Sequence, residues 1–122
     1  MAQKAPSTRR DPRIPVPGGA GFVDFDSERS DGGRYRADVM DISVSGMTFE
    51  LEAGPKFEKG ANLVNANLHI SDCVVEGELL VKHCALIHES RVEVGCLFYP
   101  SSQLDEEKLS AVLAGLQAAT RA

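Results

Sequence analysis

The N-terminal part of the sequence contains a cluster of arginines whose spacing suits the binding of an anionic ligand. The cluster is Arg9-Arg10-Asp11-Pro12-Arg13, in which Arg9 and Arg13 are spaced Arg-x-x-x-Arg. A guanidinium group donates paired hydrogen bonds to phosphate oxygens and to the O6/N7 edge of guanine, and its flat face stacks on purines. Because Pro12 disfavours a helical conformation at the residue before it, we expect this segment to form an extended arm, called here the arginine arm.

A second cluster, Asp41-Ile42-Ser43-Val44-Ser45-Gly46, offers a complementary set of groups. Asp41 can accept hydrogen bonds from the N1–H and amino groups of a guanine, Ser43 adds a hydroxyl, and Gly46 lets a backbone approach closely. The same residue types also form ordinary turns for local reasons, so the cluster alone does not distinguish a binding site from a turn. Together with the arginine arm, it predicts a charge-complementary pocket for a guanine nucleotide with phosphates.

The charge of the chain is unevenly distributed. The net charge of the 122 residues is −5, but residues 1–13 hold four cationic side chains against one carboxylate, which leaves −8 on the remainder. A protein that wraps a long nucleic acid needs many cationic contacts, so the acidic body argues against that class of partner. The compact basic segment favours a small anionic ligand near the N-terminus; the alternative is a solvated tail.

Side chains arranged for catalysis are sparse. The three imidazoles in the chain are His69, His83 and His88. They belong to no recognisable Ser-His-Asp order, and the sequence has no nucleophile elbow. We therefore expect that the protein is not an enzyme.

The cysteines and the apolar runs indicate the cellular compartment. Cys73, Cys84 and Cys96 form no Cys-x-x-Cys pair and are odd in number, which favours buried, reduced thiols in a cytoplasmic protein. A metal site built from His83, Cys84, His88 and Cys96 would lack the usual ligand spacing. No apolar run approaches the length needed to cross a membrane. We expect a cytoplasmic protein with no metal, no cofactor and no membrane insertion.

Alternating apolar and polar residues predict strands along most of the chain. In the clearest one, residues 62–70, we expect Val64, Ala66, Leu68 and Ile70 on one face. Similar patterns predict strands at residues 22–26, 34–40, 47–52, 74–87 and 91–99. Antiparallel strands at this spacing must manage the edges of their sheet, and closure into a small barrel is the usual solution.

The periodicity changes near the C-terminus and predicts a helix. Ser101 or Ser102 can cap it, acidic residues in its first turn suit the helix dipole, and we expect it to end near Ala119. The apolar residues at helical spacing are Leu109, Val112, Leu113 and Leu116. We expect this helix to pack its leucines on the sheet or on a partner.

These features together resemble the PilZ domain family, bacterial receptors for cyclic di-GMP (c-di-GMP). The resemblance rests on Arg9-x-x-x-Arg13 and Asp41-x-Ser43-x-x-Gly46, followed by strands and a terminal helix, and it covers about residues 9–120. It implies an all-β fold with a C-terminal helix: a six-stranded antiparallel β-barrel at residues 20–99 and a helix at residues 102–120. Residues 1–8 would be a flexible tail ahead of a PilZ-like domain of residues 9–122.

The resemblance also implies ligand-binding roles. In such families the arginine arm wraps the dinucleotide, and the Asp-x-Ser-x-x-Gly turn holds a guanine on the barrel surface. The matching residues are Arg9, Arg13, Asp41, Ser43 and Gly46, with Arg10 as a further candidate inside the motif. The expected function is a c-di-GMP-binding receptor or adaptor that orders its arm on ligand binding and signals to an unidentified protein effector.

Two alternative functions are compatible with the sequence. A nucleotide-independent protein-interaction module could use the same fold, although this chain keeps all five motif positions. An RNA-binding barrel would need a basic groove with stacking aromatic residues, and a net charge of −5 with five Phe and two Tyr does not favour it.

Overall fold

The computed structural model describes residues 13–27, 34–52, 57–88 and 90–121. Within these residues the chain forms seven strands and one helix, with the bounds β1 Ile14–Pro15, β2 Gly21–Ser27, β3 Tyr35–Ile42, β4 Gly46–Glu52, β5 Asn62–Ile70, β6 Cys73–His88, β7 Arg91–Pro100 and α1 Gln103–Arg121. Arg9 and Arg10, and the tail predicted at residues 1–8, lie outside the described residues.

Six of these strands form a closed antiparallel barrel. Their order around the barrel is β3-β2-β5-β6-β7-β4, and β4 pairs back with β3 to complete the ring. The short β1 pairs with β3 at Ile42 and Asp41, beyond the segment of β3 that pairs with β2. Closure removes the two terminal edges that an open sheet of these strands would expose. The predicted fold class, a six-stranded antiparallel barrel with a C-terminal helix, is confirmed.

Alternation along the strands places one face of each in a continuous apolar core. Its largest fully buried side chains include Phe25, Phe49, Ile42, Met47, Leu63, Leu68 and Leu79. Phe25 contacts the rings of Tyr35, Phe49 and Phe57, with centroids 5.7, 5.4 and 5.9 Å away. Aromatic rings at these separations add to the stabilisation from burial alone. This packing makes the barrel a rigid support for the side chains on its outer face.

The prediction that Val64 faces inward is wrong. β5 carries one residue more than its partners between Leu63 and Ala66, and Asn65 adopts a left-handed conformation with φ of 52°. Such a bulge shifts the side-chain alternation by one position, so Leu63 is fully buried and Val64 is only half-buried. Asn is among the few non-glycine residues that adopt this conformation readily.

α1 is capped by Ser102 and is tied to the barrel by Asp105. The Ser102 Oγ accepts a hydrogen bond from the N–H of Asp105 at 3.1 Å, and the Oδ1 of Asp105 accepts one from the N–H of Glu76 in β6 at 3.0 Å. The Glu76 N–H, and after it the Ser102 hydroxyl, lower the pKa of the Asp105 carboxyl below its ordinary value. Leu109 and Val112 are buried where α1 packs on β6, β7 and β1. Among the described residues, no helix is long and apolar enough to span a bilayer.

Candidate ligand-binding site

Asp41 lies on the outer face of the barrel because β3 contains a bulge. One extra residue, Met40, separates the pairs Val39–Phe49 and Asp41–Thr48. Without that residue, alternation from the buried Val39 would turn Asp41 inward. The bulge shifts the alternation, so Asp41 faces outward and the next residue, Ile42, is fully buried. The carboxylate of Asp41 is therefore available at the barrel surface.

Arg13 contacts Asp41 directly. It stands immediately before β1, whose Pro15 is the Cα partner of Asp41. The Nη1 of Arg13 donates hydrogen bonds to the Oδ1 of Asp41 at 2.6 Å and to the Oγ1 of Thr48 at 2.8 Å. The side chains of Arg13 and Asp41 are 52% and 31% exposed, and an ion pair so accessible to water contributes only about 0.2–1 kcal/mol. A ligand could therefore displace this contact at little cost.

Ser43 and Gly46 build the turn that follows Asp41. The N–H of Ser43 donates to the carbonyl of Gly46 at 2.8 Å, and the Ser43 hydroxyl accepts from the N–H of Gly46 at 3.3 Å. Ser43 is only 4% exposed. A Cβ at Gly46 would overlap the carbonyl oxygen of Cys96 in β7, so the close packing of β4 on β7 requires glycine there. These two residues hold the turn rigid beside Asp41.

The outer face continues from Asp41 into a row of residues to which no sequence motif assigned a ligand role. Thr48 is the Cα partner of Asp41, Gly95 is the partner of Thr48, and His83 is the partner of Gly95. This row, called here the site row, crosses β3, β4, β7 and β6 in that order. A glycine in the interior of a predicted strand is the one local signal that could have drawn attention to it.

The structure thus brings together Arg13 and Asp41, and it places Ser43 and Gly46 in the adjoining turn. Arg9 and Arg10 lie outside the described residues, so their roles stay predictions. A family model now adds to this geometry: the model described as PilZ domain matches residues 7–115. The chain belongs to the PilZ family.

Several solved structures have the same fold. The complex of K. pneumonia MrkH with c-di-GMP matches with a TM-score of 0.79 and 22% identity, over 99% of this chain and 55% of that chain. The PilZ domain of Escherichia coli YcgR with c-di-GMP matches with a TM-score of 0.74 and 19% identity, over 93% and 94%. The Bacillus subtilis inhibitor of motility MotI/DgrA matches with a TM-score of 0.62 and 17% identity, over 93% and 49%.

The PilZ chain spans about half the length of MrkH and nearly the whole of the isolated YcgR domain. No curated protein matches its sequence.

A second polar cluster lies towards the other end of β3 and differs from the Asp41 site. Arg34 donates to the Oδ1 of Asp24 at 2.6 Å, Asn67 donates to the same oxygen at 3.3 Å, and His69 Nε2 lies 3.2 Å from Oδ2. Burial raises the pKa of Asp24, but the hydrogen bonds from Arg34 and Asn67 outweigh it and leave that pKa below its ordinary value. Both carboxylate oxygens of Asp24 are already paired within the barrel.

The thiols are less uniformly buried than the sequence suggested. Cys73 and Cys84 are half-buried, and Cys96 is buried; none is in a disulfide. Cys84 lies beyond Leu80, the last residue of β6 that pairs with β5, and packs against the core from the barrel's edge region. Burial, reinforced by the neighbouring Cys84, raises the pKa of the Cys96 thiol to about 12. Among the described residues, no group of three or more His, Cys, Asp or Glu side chains is arranged to hold a metal ion.

Proposed function

We propose that this PilZ domain is a receptor for c-di-GMP that passes the signal to a protein effector. The observation that carries the proposal is the outward-facing carboxylate of Asp41 with the Arg13 guanidinium bound to it at 2.6 Å. Membership of the PilZ family and the likeness in fold to c-di-GMP complexes of MrkH and YcgR support it. The domain acts as a binding module and not as a catalyst.

The Arg13 guanidinium binds the Asp41 carboxylate as the edge of a guanine would. A guanidinium and the Watson–Crick edge of guanine both present N–H donors in one plane, and a carboxylate accepts from either. A guanine that binds Asp41 replaces the hydrogen bond from Arg13. The released guanidinium is then free to bind a phosphate or the O6/N7 edge of the ligand. Ser43 and Gly46 keep the turn in place during this exchange.

The charge around the site orients the ligand. Asp38, Glu50 and Glu93 are Cα partners across β3, β4 and β7, in a row beside the site row, and Arg91 donates to only one of them, Glu50, at 2.9 Å. The phosphates of a doubly anionic ligand are repelled by this row and attracted to the arginine arm. The phosphates therefore face the arm, and the base faces Asp41.

The signal is the closure of the arm over the ligand. Arg9 and Arg13 bind the phosphates, Arg10 assists, and the arm becomes ordered against the barrel as its positive charges are neutralised. The ordered arm and the ligand present a new surface to the effector. We place the receptor in the cytoplasm, where unbridged thiols such as the three in this chain are usual.

Titration calorimetry with c-di-GMP tests the proposal. We expect a binding heat at micromolar concentrations of the wild-type protein. Arg13→Ala and Asp41→Ala should each weaken binding tenfold or more, because a hydrogen bond to a charged group contributes about 1.5–3 kcal/mol. Both variants should unfold at nearly the same urea concentration as the wild type, since the lost ion pair is exposed.

Arg34→Ala is the matched control, because it also removes one positive charge and a 2.6 Å ion pair to an aspartate. It should bind c-di-GMP as the wild type does. An equal loss in Arg34→Ala would show that net charge, and not the Asp41 site, governs binding. No heat with the wild-type protein would overturn the proposal and leave a nucleotide-independent interaction module.

A further inference from the structure

The imidazole of His83 lies directly on Gly95, within the site row. A Cβ at Gly95 would come within 2.7 Å of both ring nitrogens of His83. The ring can occupy that position only because residue 95 has no side chain. Gly95 itself is buried, whereas His83 is exposed. The part of the imidazole around Cε1 therefore lies against the barrel, and His83 as a whole remains exposed to solvent.

Strand register, and not the choice of side-chain rotamer, places His83 on the outer face of the barrel. Next to His83 and Gly95 along β6 and β7 stands the pair Val81 and Cys96. These two side chains face inward and are 1% and 4% exposed. The next pair, His83 and Gly95, lies on the opposite face because one extra residue, Lys82, separates Val81 from His83. A β6 bulge thus aims His83 outward, as the β3 bulge aims Asp41.

The separation of His83 from Asp41 suits a planar base. Neighbouring strands lie about 4.8 Å apart, so a ring placed on β7 stands about 10 Å across the sheet from Asp41 on β3. Thr48, between them, has a short side chain that is only 7% exposed, with the Arg13 guanidinium bound to its Oγ1 at 2.8 Å. Once a ligand displaces Arg13, no long side chain of the site row separates the carboxylate from the imidazole. No hydrogen bond or ion pair joins the imidazole to another described residue, and His83 is exposed.

We infer that His83 is a ligand-contacting residue of this site, and that its imidazole stacks on a purine base of the nucleotide whose guanine edge Asp41 accepts. This inference rests on the proposed function and extends it by naming the residue on which the base stacks. Aromatic rings on the face of a β-barrel bind bases by stacking. Gly95 is the positioning residue, because its lack of a side chain leaves room for the ring over the sheet. Arg13 binds the phosphates, and Asp41 and His83 bind the base.

Titration of c-di-GMP into His83 variants tests this assignment. Removing an aromatic stacking partner weakens base binding by about 5- to 140-fold, and we expect His83→Ala to fall in that range. His83→Phe keeps a ring of similar width and should bind within about threefold of the wild type. His88→Ala is the matched control, since it removes an exposed histidine from the same strand outside the site row, and it should bind as the wild type does.

A second readout separates contact from a structural role. The carbon-bound ring protons of His83 should shift upfield in an NMR titration, because they enter the ring current of the stacked base, while those of His69 and His88 stay in place. Gly95→Ala should weaken binding as His83→Ala does, because the added Cβ displaces the ring.

Different results would overturn the stacking role of His83 and the proposed binding of c-di-GMP. Wild-type affinity in a folded His83→Ala variant, or no movement of the His83 ring protons, overturns the stacking role while c-di-GMP binding stands. Loss in His88→Ala equal to that in His83→Ala also overturns it. No binding by the wild-type protein overturns both the stacking role and the proposed function.

Discussion

Asp41 and Gly46 belong to one sequence motif but have different physical tasks. Asp41 faces outward and contacts Arg13 through a solvent-accessible hydrogen bond. Gly46 faces the backbone of β7 and has no room for a side chain. A change at Asp41 should therefore alter binding with little effect on folding, whereas a change at Gly46 should alter folding first.

Gly46→Ala should lower the free energy of unfolding by about 1–3 kcal/mol, the usual cost of forcing extra atoms into a well-packed region. The added Cβ overlaps the Cys96 carbonyl, so β4 and β7 must separate slightly. Urea unfolding measures the change. Gly18→Ala is the control, because a Cβ there meets no atom within 4 Å, and it should leave stability within about 0.5 kcal/mol of the wild type. Wild-type stability in Gly46→Ala would contradict the packing argument.

The residues of the site divide into those that local sequence could predict and those it could not. Arg13 and Asp41 stand in recognisable motifs, and the structure does bring them into contact. Thr48, Gly95 and His83 join the site row only through strand register, which depends on bulges at Met40 and Lys82. A bulge forms where tertiary packing favours it, so the local pattern of apolar and polar residues does not reveal it.

The sequence predicts where the strands and the helix lie better than it predicts which of their side chains face inward. The alternation at residues 62–70 predicts a strand that the structure also has, Asn62–Ile70, yet the bulge at Asn65 turns Leu63 inward in place of Val64. The predicted helix is present because capping and apolar spacing are local signals. Its attachment through Asp105 to Glu76 is a tertiary contact that those signals do not contain.

Asp105 links the stability of the helix to pH. Its pKa is lowered in the folded protein, first by the N–H of Glu76 and then by the Ser102 hydroxyl. A lowered pKa means that the carboxylate stabilises the fold above its ordinary pKa of about 3.9, and that this stabilisation is lost as the pH falls through the folded value. Asp105→Asn should thus cost about 1–2 kcal/mol at pH 7, and the difference from the wild type should shrink near pH 3.

Urea unfolding of both proteins at the two pH values provides the measurement. Glu106→Gln is the matched control, because Glu106 lies in the same first turn but is exposed, and it should show little change at either pH. A difference between wild type and Asp105→Asn that is equally large at pH 3 would rule out the charged carboxylate as its cause.

At the scale of the whole molecule, the closed barrel confines any response to its surface. A closed, well-packed core resists continuous deformation, so a bound ligand should change the arm and the turn while the barrel keeps its shape. Hydrogen exchange with and without saturating c-di-GMP should show new protection at residues 9–16 and 41–48. β5, which takes no part in the site row, should gain only the uniform slowing that stabilisation of the whole fold by a tight ligand confers.

Protection spread evenly over all strands would contradict this view, because it would report only the general stabilisation that any tight ligand confers. Arg13→Ala, measured at the same ligand concentration, separates the two cases. It should lose the protection at the arm and the turn, and its β5 should exchange as in the ligand-free protein.

The contact between Gly46 and the carbonyl of Cys96 also determines when the site can form during synthesis. β3 and β4 are neighbours in sequence and can pair early, but the turn that follows Asp41 is held by β7, which leaves the ribosome much later. Contacts between residues so far apart in sequence carry a large loop-closure cost and form late in folding. A nascent chain, or a fragment that ends before β7, would therefore carry both motifs without a finished pocket, and under the proposed function only completed molecules would bind c-di-GMP.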